Sequence, residues 1–181
     1  MTFSEQLKMI GVCEEAIGWV EENNYTTLEE AWQNCHRGDW MLWFAAKQGA
    51  NLRKLVLAKA RCAKLVKHLM KDKRSRSAIE VAERFGLGQA THKELDAADV
   101  AATDAAVATA FAAVAGAADV TDVAGANAAN AAADGYTAGA YATAGANAAA
   151  YAIAAADAAN GKEIFKKCAD ICRETLTDEI I

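Results

Sequence analysis

The stretch Ala97–Ala159, AADVAATDAAVATAFAAVAGAADVTDVAGANAANAAADGYTAGAYATAGANAAAYAIAAADAA, is about half alanine, with Gly, Asn, Asp, Thr, Val and a few aromatics between. Alanine has the highest helix propensity and loses no rotamer entropy on burial, so the segment is expected to be helical wherever glycine does not interrupt it. A buried methyl contributes only about 0.8 kcal/mol, against about 1.5–3 for a leucine or phenylalanine side chain, so such helices gain enough only by lying close together. Gly116, Gly125, Asp134-Gly135 and Asn160-Gly161 are the expected breaks. The fragment Ala-Gly-Ala-Asn-Ala-Ala occurs at 124–129 and again at 144–149, which reads as two similar helices with similar neighbours.

Working outward, the expected fold class is all-α: a single-domain multi-helix bundle with tightly packed alanine-rich central helices. Its parts are larger-residue helices over 1–95, the alanine-rich helices over 96–160 and a closing helix over 161–181. A chain of 181 residues can bury one full core, proline is absent, and no alternating run of β-branched and aromatic residues marks a strand. The net charge of −5 argues neither for bulk nucleic-acid binding nor for a disordered acidic tail. Five cysteines with no paired spacing, and a start without a basic and apolar leader, point to a reduced, cytoplasmic setting. Gly135–Ala156 is uncharged and long enough to span a membrane, but it is too weak in bulk to make a good span, so no membrane is expected.

Ser4–Glu22 reads as a first helix, with Leu7, Ile10, Ala16, Trp19 and Val20 on one side. Thr27 three residues before Glu30 is a capping box for a short second helix. The most informative local sequence follows: Cys35-His36-Arg37-Gly38-Asp39-Trp40-Met41-Leu42-Trp43-Phe44. Gly38 is expected to break a helix and Asp39 to cap the next. Trp40, Trp43, Phe44 and Lys47 share one face, and the aromatic stripe is expected to pack inward. Asn51–Lys71 reads as a long helix with Leu52, Leu55, Cys62, Val66, Leu69 and Met70 on one arc and Arg53, Lys64, Lys67 and Lys71 opposite. Lys59 falls within the apolar arc, so it should snorkel or meet a carboxylate, for which Asp39 is one candidate. Ser77–Phe85 is a short helix with Gly86 in the left-handed position after it. Thr91 and Glu94 form another capping box, and Lys162–Leu176 closes the chain over the alanine layer, with Thr177–Ile181 expected to fray.

Catalytic and metal chemistry find little support. Cys168 and Cys172, one helical turn apart, supply half a tetrahedral site with no histidine near in sequence, so buried thiols are the simpler reading. Cys35 and His36 are adjacent and point in different directions on a helix, which is wrong for a nucleophile and its base. Phosphate-loop, zinc-protease and nucleophile-elbow motifs are absent, and no cofactor or metal is expected. Arg37 and Asp39 read as an ion pair that fastens the turn, with an exposed recognition spot as the alternative.

Four motifs occur in order. Trp32-x-x-Cys35-x-Arg37-Gly38-Asp39-Trp40-x-Leu42-Trp43 is followed by Arg61-Cys62-Ala63-x-Leu65 and Arg76-x-Ala78-Ile79-Glu80-x-Ala82-Glu83. After the alanine-rich stretch comes Lys167-Cys168-Ala169-Asp170-Ile171-Cys172-Arg173. Together they resemble a family of bacterial and phage immunity proteins, partners of polymorphic toxins, over about Leu28–Leu176. Ser77 stands where that family often has a proline, which implies a less rigid loop there. The resemblance implies an intracellular, all-helical protein that binds and neutralises a toxin. With no assembled active site in the sequence beside it, the leading reading is a non-enzymatic protein that occludes a protein partner, a toxin or a host defence protein. It supplies no catalytic residues.

The partner-binding candidates are Tyr136, Tyr141, Tyr151, His36 and Arg37, with Cys35, Asp39, Trp40, Trp43 and Lys59 as structural residues. The competing reading is nucleic-acid binding through the basic stretch 51–76, with Lys54, Lys64, Lys67, Lys71, Lys73 and Arg74 as contacts. Homo-oligomerisation is left open by the sequence.

Overall fold

A computed structural model describes residues 1–114 and 161–181, and every regular element among them is helical, as expected. The order is α1 (Phe3–Met9), α2 (Glu14–Glu22), α3 (Leu28–Asn34), α4 (Gly38–Lys47) and α5 (Leu52–Lys64). A 3-10 turn at Lys67–Leu69 leads to α6 (Lys73–Gly86), α7 (His92–Val114) and α8 (Gly161–Ile180). The further alanine-rich helices expected before Gly161 lie outside the described residues, as do Gly135–Ala156, Tyr136, Tyr141 and Tyr151.

Local sequence explains most of the helix starts. The Thr27 hydroxyl accepts from the Glu30 N–H at 3.2 Å, and the Glu30 carboxylate accepts from the Thr27 N–H at 3.2 Å. Thr91 and Glu94 do the same at 3.2 and 2.8 Å, and Thr2 with Glu5 forms a third box. Each box satisfies backbone donors that the first helical turn leaves without intrahelical partners.

Among the described residues the central element is α5, buried without interruption from Leu55 to Ala60 and again at Cys62 and Ala63. One face, Leu55, Ala58 and Cys62, packs with Leu42 and Ala45 of α4 and with Cys168, Ala169, Cys172 and Leu176 of α8. Its other face, Val56 and Ala60, meets Ala82 and Phe85 of α6 and Leu95 of α7. The alanine-rich stretch begins to act as expected in α7, where Ala98 and Ala102 lie against Ala78 of α6. α8 is therefore more than a lid on an alanine layer: it is a principal neighbour of both α4 and α5.

The structure corrects several boundaries. Ser4–Glu22 is two helices, because Gly11 takes φ +82° and turns the chain between α1 and α2. Asn51–Lys71 ends as an α-helix at Lys64 and passes through the 3-10 turn. Ser77 lies inside α6, so no loop is present there. Thr177–Ile180 stays helical, tied by Glu179, which accepts from the Asn51 N–H at 3.2 Å and pairs with Lys54 at 2.8 Å.

Two glycines have different duties from those expected. Gly38 begins α4 rather than breaking a helix, and a Cβ there would stand 2.7 Å from the Ala169 backbone nitrogen, so α4 and α8 touch nearly backbone to backbone. Gly86 is the last residue of α6, and a Cβ there would lie 2.9 Å from both the Leu57 Cα and the Arg53 carbonyl oxygen. The left-handed residue after that helix is Gly88, with φ +76°.

Candidate functional site

The N-terminal helices are short, amphipathic and set at angles by the turns at Gly11 and at Asn24–Tyr25. With α4 they enclose a cavity of about 290 Å³. Phe3 and Leu7 of α1, Val12 and Ala16 at the start of α2, and Trp19 and Val20 further along it form one side. Leu28, Ala31 and Trp32 of α3 and Trp40, Trp43 and Phe44 of α4 form the other. Asp39 and Cys35 also reach it. Of the lining residues Leu7, Val20, Ala31 and Trp32 are buried, while Phe3, Trp19, Trp40, Trp43 and Phe44 are half-buried and keep part of their ring surface open.

The stripe Trp40, Trp43 and Phe44 was expected to pack inward, and it does so in part: all three are half-buried, with Trp40 and Phe44 packed against the core. The fully covered face of α4 is Met41, Leu42 and Ala45, where the close approach at Gly38 sets that side against α8. Tilted aromatic contacts link the rings around the cavity: Trp19 lies 6.1 Å from Trp40 and 5.1 Å from Tyr25. These large faces were visible in the sequence as aromatics at helical spacing. Their exposure was not, since it depends on which side of α4 the last helix covers.

Arg37 fastens the wall, as expected. Its Nε donates to Asp39 Oδ1 at 2.9 Å and its Nη2 to Asp39 Oδ2 at 2.7 Å, a two-pronged carboxylate pair. Nη1 donates to Glu15 of α2 at 2.9 Å. The guanidinium carbon lies 4.4 Å from the Trp40 ring centroid and 4.5 Å from that of Phe165 in α8. The hydrogen bonds to Asp39 and the charge of Glu15 hold the Arg37 pKa above its ordinary value. This arrangement overturns a capping role for Asp39: no side chain caps α4, and the Asp39 carboxylate is occupied by Arg37. It also engages Arg37 as a strut rather than leaving it as a free recognition group.

The turn is held from behind by α8. Arg173 donates to the carbonyl oxygens of Cys35 at 2.7 Å and Trp32 at 3.3 Å, the last acceptors of α3, and to Asp170 at 2.6 Å. The Trp32 indole N–H donates to the Thr177 hydroxyl at 3.0 Å. Neither partner could be found from local sequence, because more than a hundred residues separate them from α3.

Cys35 and His36 do not form a catalytic pair. Cys35 is buried, and loss of water pushes its thiol up to about 11, away from the thiolate a nucleophile needs. His36 is exposed, with its ring edge-on to Trp19 at 6.0 Å. Cys62, Cys168 and Cys172 are fully buried between α5 and α8. A hydrogen bond with Cys62 and burial push the Cys168 thiol far upward. Cys62 is also raised: its contact with Cys168 lowers the value, but contact with Cys172 and burial outweigh that. Buried thiols acting as small hydrophobes were expected at Cys168 and Cys172, and both lie fully buried in the core. Among the described residues no group of three or more His, Cys, Asp or Glu side chains is placed to hold a metal ion.

Lys59 is 0% exposed, so it does not snorkel. The basic stretch is largely occupied: Lys54 pairs with Glu179 at 2.8 Å, Lys64 with Glu83 at 2.7 Å, Lys67 with Glu80 at 2.6 Å and Arg74 with Asp72 at 2.8 Å. Arg53, expected on the solvent side, sits over the Phe85 ring at 4.4 Å and donates to the Phe85 carbonyl oxygen.

Fold and site together define an all-helical domain whose first four helices wall an aromatic, half-open cavity. No protein family, curated protein or solved structure matches this chain. No helix among the described residues is long and apolar enough to cross a membrane.

Proposed function

We propose that this chain is a non-enzymatic, protein-binding inhibitor of the toxin-immunity kind, which occludes its partner by docking through the aromatic cavity between α1 and α4. The observation that carries this reading is the half-buried set Trp19, Trp40, Trp43 and Phe44 around a cavity of about 290 Å³. Tryptophan and other aromatics in a recess are the usual anchors of protein interfaces, since each brings a large contact area at small entropic cost. Struts at Arg37 and Arg173 support the reading too, because a preformed wall lowers the cost of binding. The order of the four sequence motifs supports the immunity-type assignment. Motifs one, two and four meet in space: Gly38 touches Cys168, and Cys62 joins them in one core.

Three observations speak against turnover at this place: the raised thiol of Cys35, the exposed and separate His36, and the engaged Arg37–Asp39 pair. The ion pairs along 51–76 give the nucleic-acid reading less free charge than the sequence alone offered.

The test uses the full chain, tagged and expressed in a bacterial host together with the products of its neighbouring genes. A partner that co-purifies in fixed stoichiometry, whose toxicity or activity falls when the chain is present, supports the reading. Trp40→Ala with Phe44→Ala should abolish the complex while leaving helicity unchanged. A chain that inhibits none of these proteins, or that binds DNA or RNA at low salt with a steep salt dependence, overturns it.

A further inference from the structure

The charge of the chain is not spread evenly. Met1–Gln48, the segment that walls the cavity, carries eight carboxylates against Lys8, Arg37 and Lys47, and so holds the whole formal net charge of −5. Residues 49–181 balance to zero. The seven glutamates at 5, 14, 15, 21, 22, 29 and 30 are all exposed. They are interleaved with the lining: Glu14 and Glu15 stand between Cys13 and Ala16, Glu21 follows Val20, and Glu29 and Glu30 stand between Leu28 and Ala31. Several have local duties, Glu5 and Glu30 in capping boxes and Glu15 on Arg37. Glu14, Glu22 and Glu29 form no ion pair among the described residues.

We infer that the cavity accepts one large apolar side chain presented by a cationic protein segment. Resting on the docking role proposed above, this names the chemistry of the partner. The walls are apolar and aromatic, which suits a leucine, phenylalanine or tryptophan anchor. The volume lies at the lower end of small-molecule sites, about 300–1,000 Å³, and fits one or two such side chains. The net charge of −5 on the helices that wall it repels acidic surfaces and draws lysine and arginine, which raises the encounter rate and sets specificity. A neutral apolar metabolite would need the cavity but not the acidic charge of these helices. A bare basic surface would need the charge but not the cavity.

The test titrates the full chain with three synthetic 18-residue helical peptides free of tryptophan, read by the chain's own tryptophan fluorescence and by calorimetry. The first carries a leucine stripe and lysines, the second has glutamate for every lysine, and the third has serine for every leucine. The expected result is saturable binding of the first alone, weakening about tenfold or more between 50 and 300 mM salt as exposed charges are screened. The triple variant Glu14→Gln, Glu22→Gln, Glu29→Gln should bind it about tenfold less tightly, since exposed charges act mainly through long-range attraction. Equal binding of the glutamate peptide points to a neutral apolar occupant and overturns the inference. So does equal binding of the serine peptide, or an unchanged affinity in the triple variant, or no binding at all. If the first peptide binds as described and no partner is ever inhibited, the inhibitor reading fails while this surface stands. A genuine partner held through Trp40 and Phe44 but indifferent to the glutamates reverses that outcome.

Discussion

Gly38 and Cys168 lie in contact where α4 crosses α8, with no room for a side chain between the two backbones. The same crossing brings the Cys172 thiol to the Gly38 carbonyl oxygen at 3.8 Å, and it leaves Trp40 and Phe44 at the edge of the shared core, packed against it on one side and lining the cavity on the other. The aromatic cavity thus depends on a glycine on the opposite side of the helix.

Alanine at this glycine should force α4 and α8 apart. Gly38→Ala is expected to cost about 1–3 kcal/mol, the range for overpacking a filled core, and to weaken partner or peptide binding as well. Gly18, inside α2, has nothing within 4 Å of a built Cβ, so Gly18→Ala should stabilise by about 0.5–1 kcal/mol. Urea titrations of the two variants decide the matter: shifts of the same sign would refute the account of the crossing.

Arg37→Lys removes the planar fork that grips both Asp39 oxygens and its stacking between Trp40 and Phe165. Loss of about 1.5–3 kcal/mol is expected, the scale of a hydrogen bond to a charged group. Because the strut supports the cavity wall, a changed tryptophan emission should accompany the loss. Unaltered stability and emission would show that Glu15 and Asp39 need only a positive charge.

Thiol reactivity offers a direct reading of burial. Of the five free cysteines only Cys13 is exposed, so native chain should take up one equivalent of iodoacetamide quickly and four more only on unfolding. Cys35 resists ionisation in the fold up to about 11, against an ordinary 9.0 in the unfolded chain. The unfolded state therefore loses its protons first, and stability falls as pH rises from about 9 toward 11. Cys62 and Cys168, raised as well, add to the same fall, so Cys35→Ala should lessen its slope without abolishing it; an equally steep decline in the variant would assign it to the other thiols alone.

On the acid side, hydrogen bonding lowers Glu179 through Lys54, Glu80 through Lys67 and Asp72 through Arg74. Groups lowered in the fold contribute stability above their unfolded values, 4.5 for Glu and 3.8 for Asp, and lose it as pH falls through the folded ones. The urea midpoint should be level between pH 7 and 5 and decline below about 4.5. Screening keeps each exposed pair's share small, so high salt should soften the decline. A midpoint that rises on acidification would contradict these assignments.

Much of the helical content follows from residues close in sequence. The capping boxes at Thr27 and Thr91 were legible because a hydroxyl and a carboxylate three residues apart can reach each other's backbone N–H. The all-α class followed from alanine content and missing strand patterns, and the Arg37–Asp39 fastening from two charges flanking one glycine. Amphipathic spacing also put Leu55 and Cys62 on one buried face of α5. Spacing alone could not show that α5 has two buried faces.

Long-range packing decided the rest. Whether Gly38 and Gly86 serve turns or crossings depends on Ala169 and Leu57, residues that the chain brings near only on folding. Which side of α4 is fully covered depends on α8, more than a hundred residues away, so the half-burial of Trp40 and Phe44 was beyond any local pattern. The C-terminus stays ordered for the same reason, through Glu179 on Lys54 and Asn51. Composition and short-range spacing determine that this chain is helical and where many helices begin, since those choices are made within a turn or two of backbone. Tertiary contact alone selects the faces that are buried and the faces that remain to bind, because burial is a property of neighbours and not of the residue.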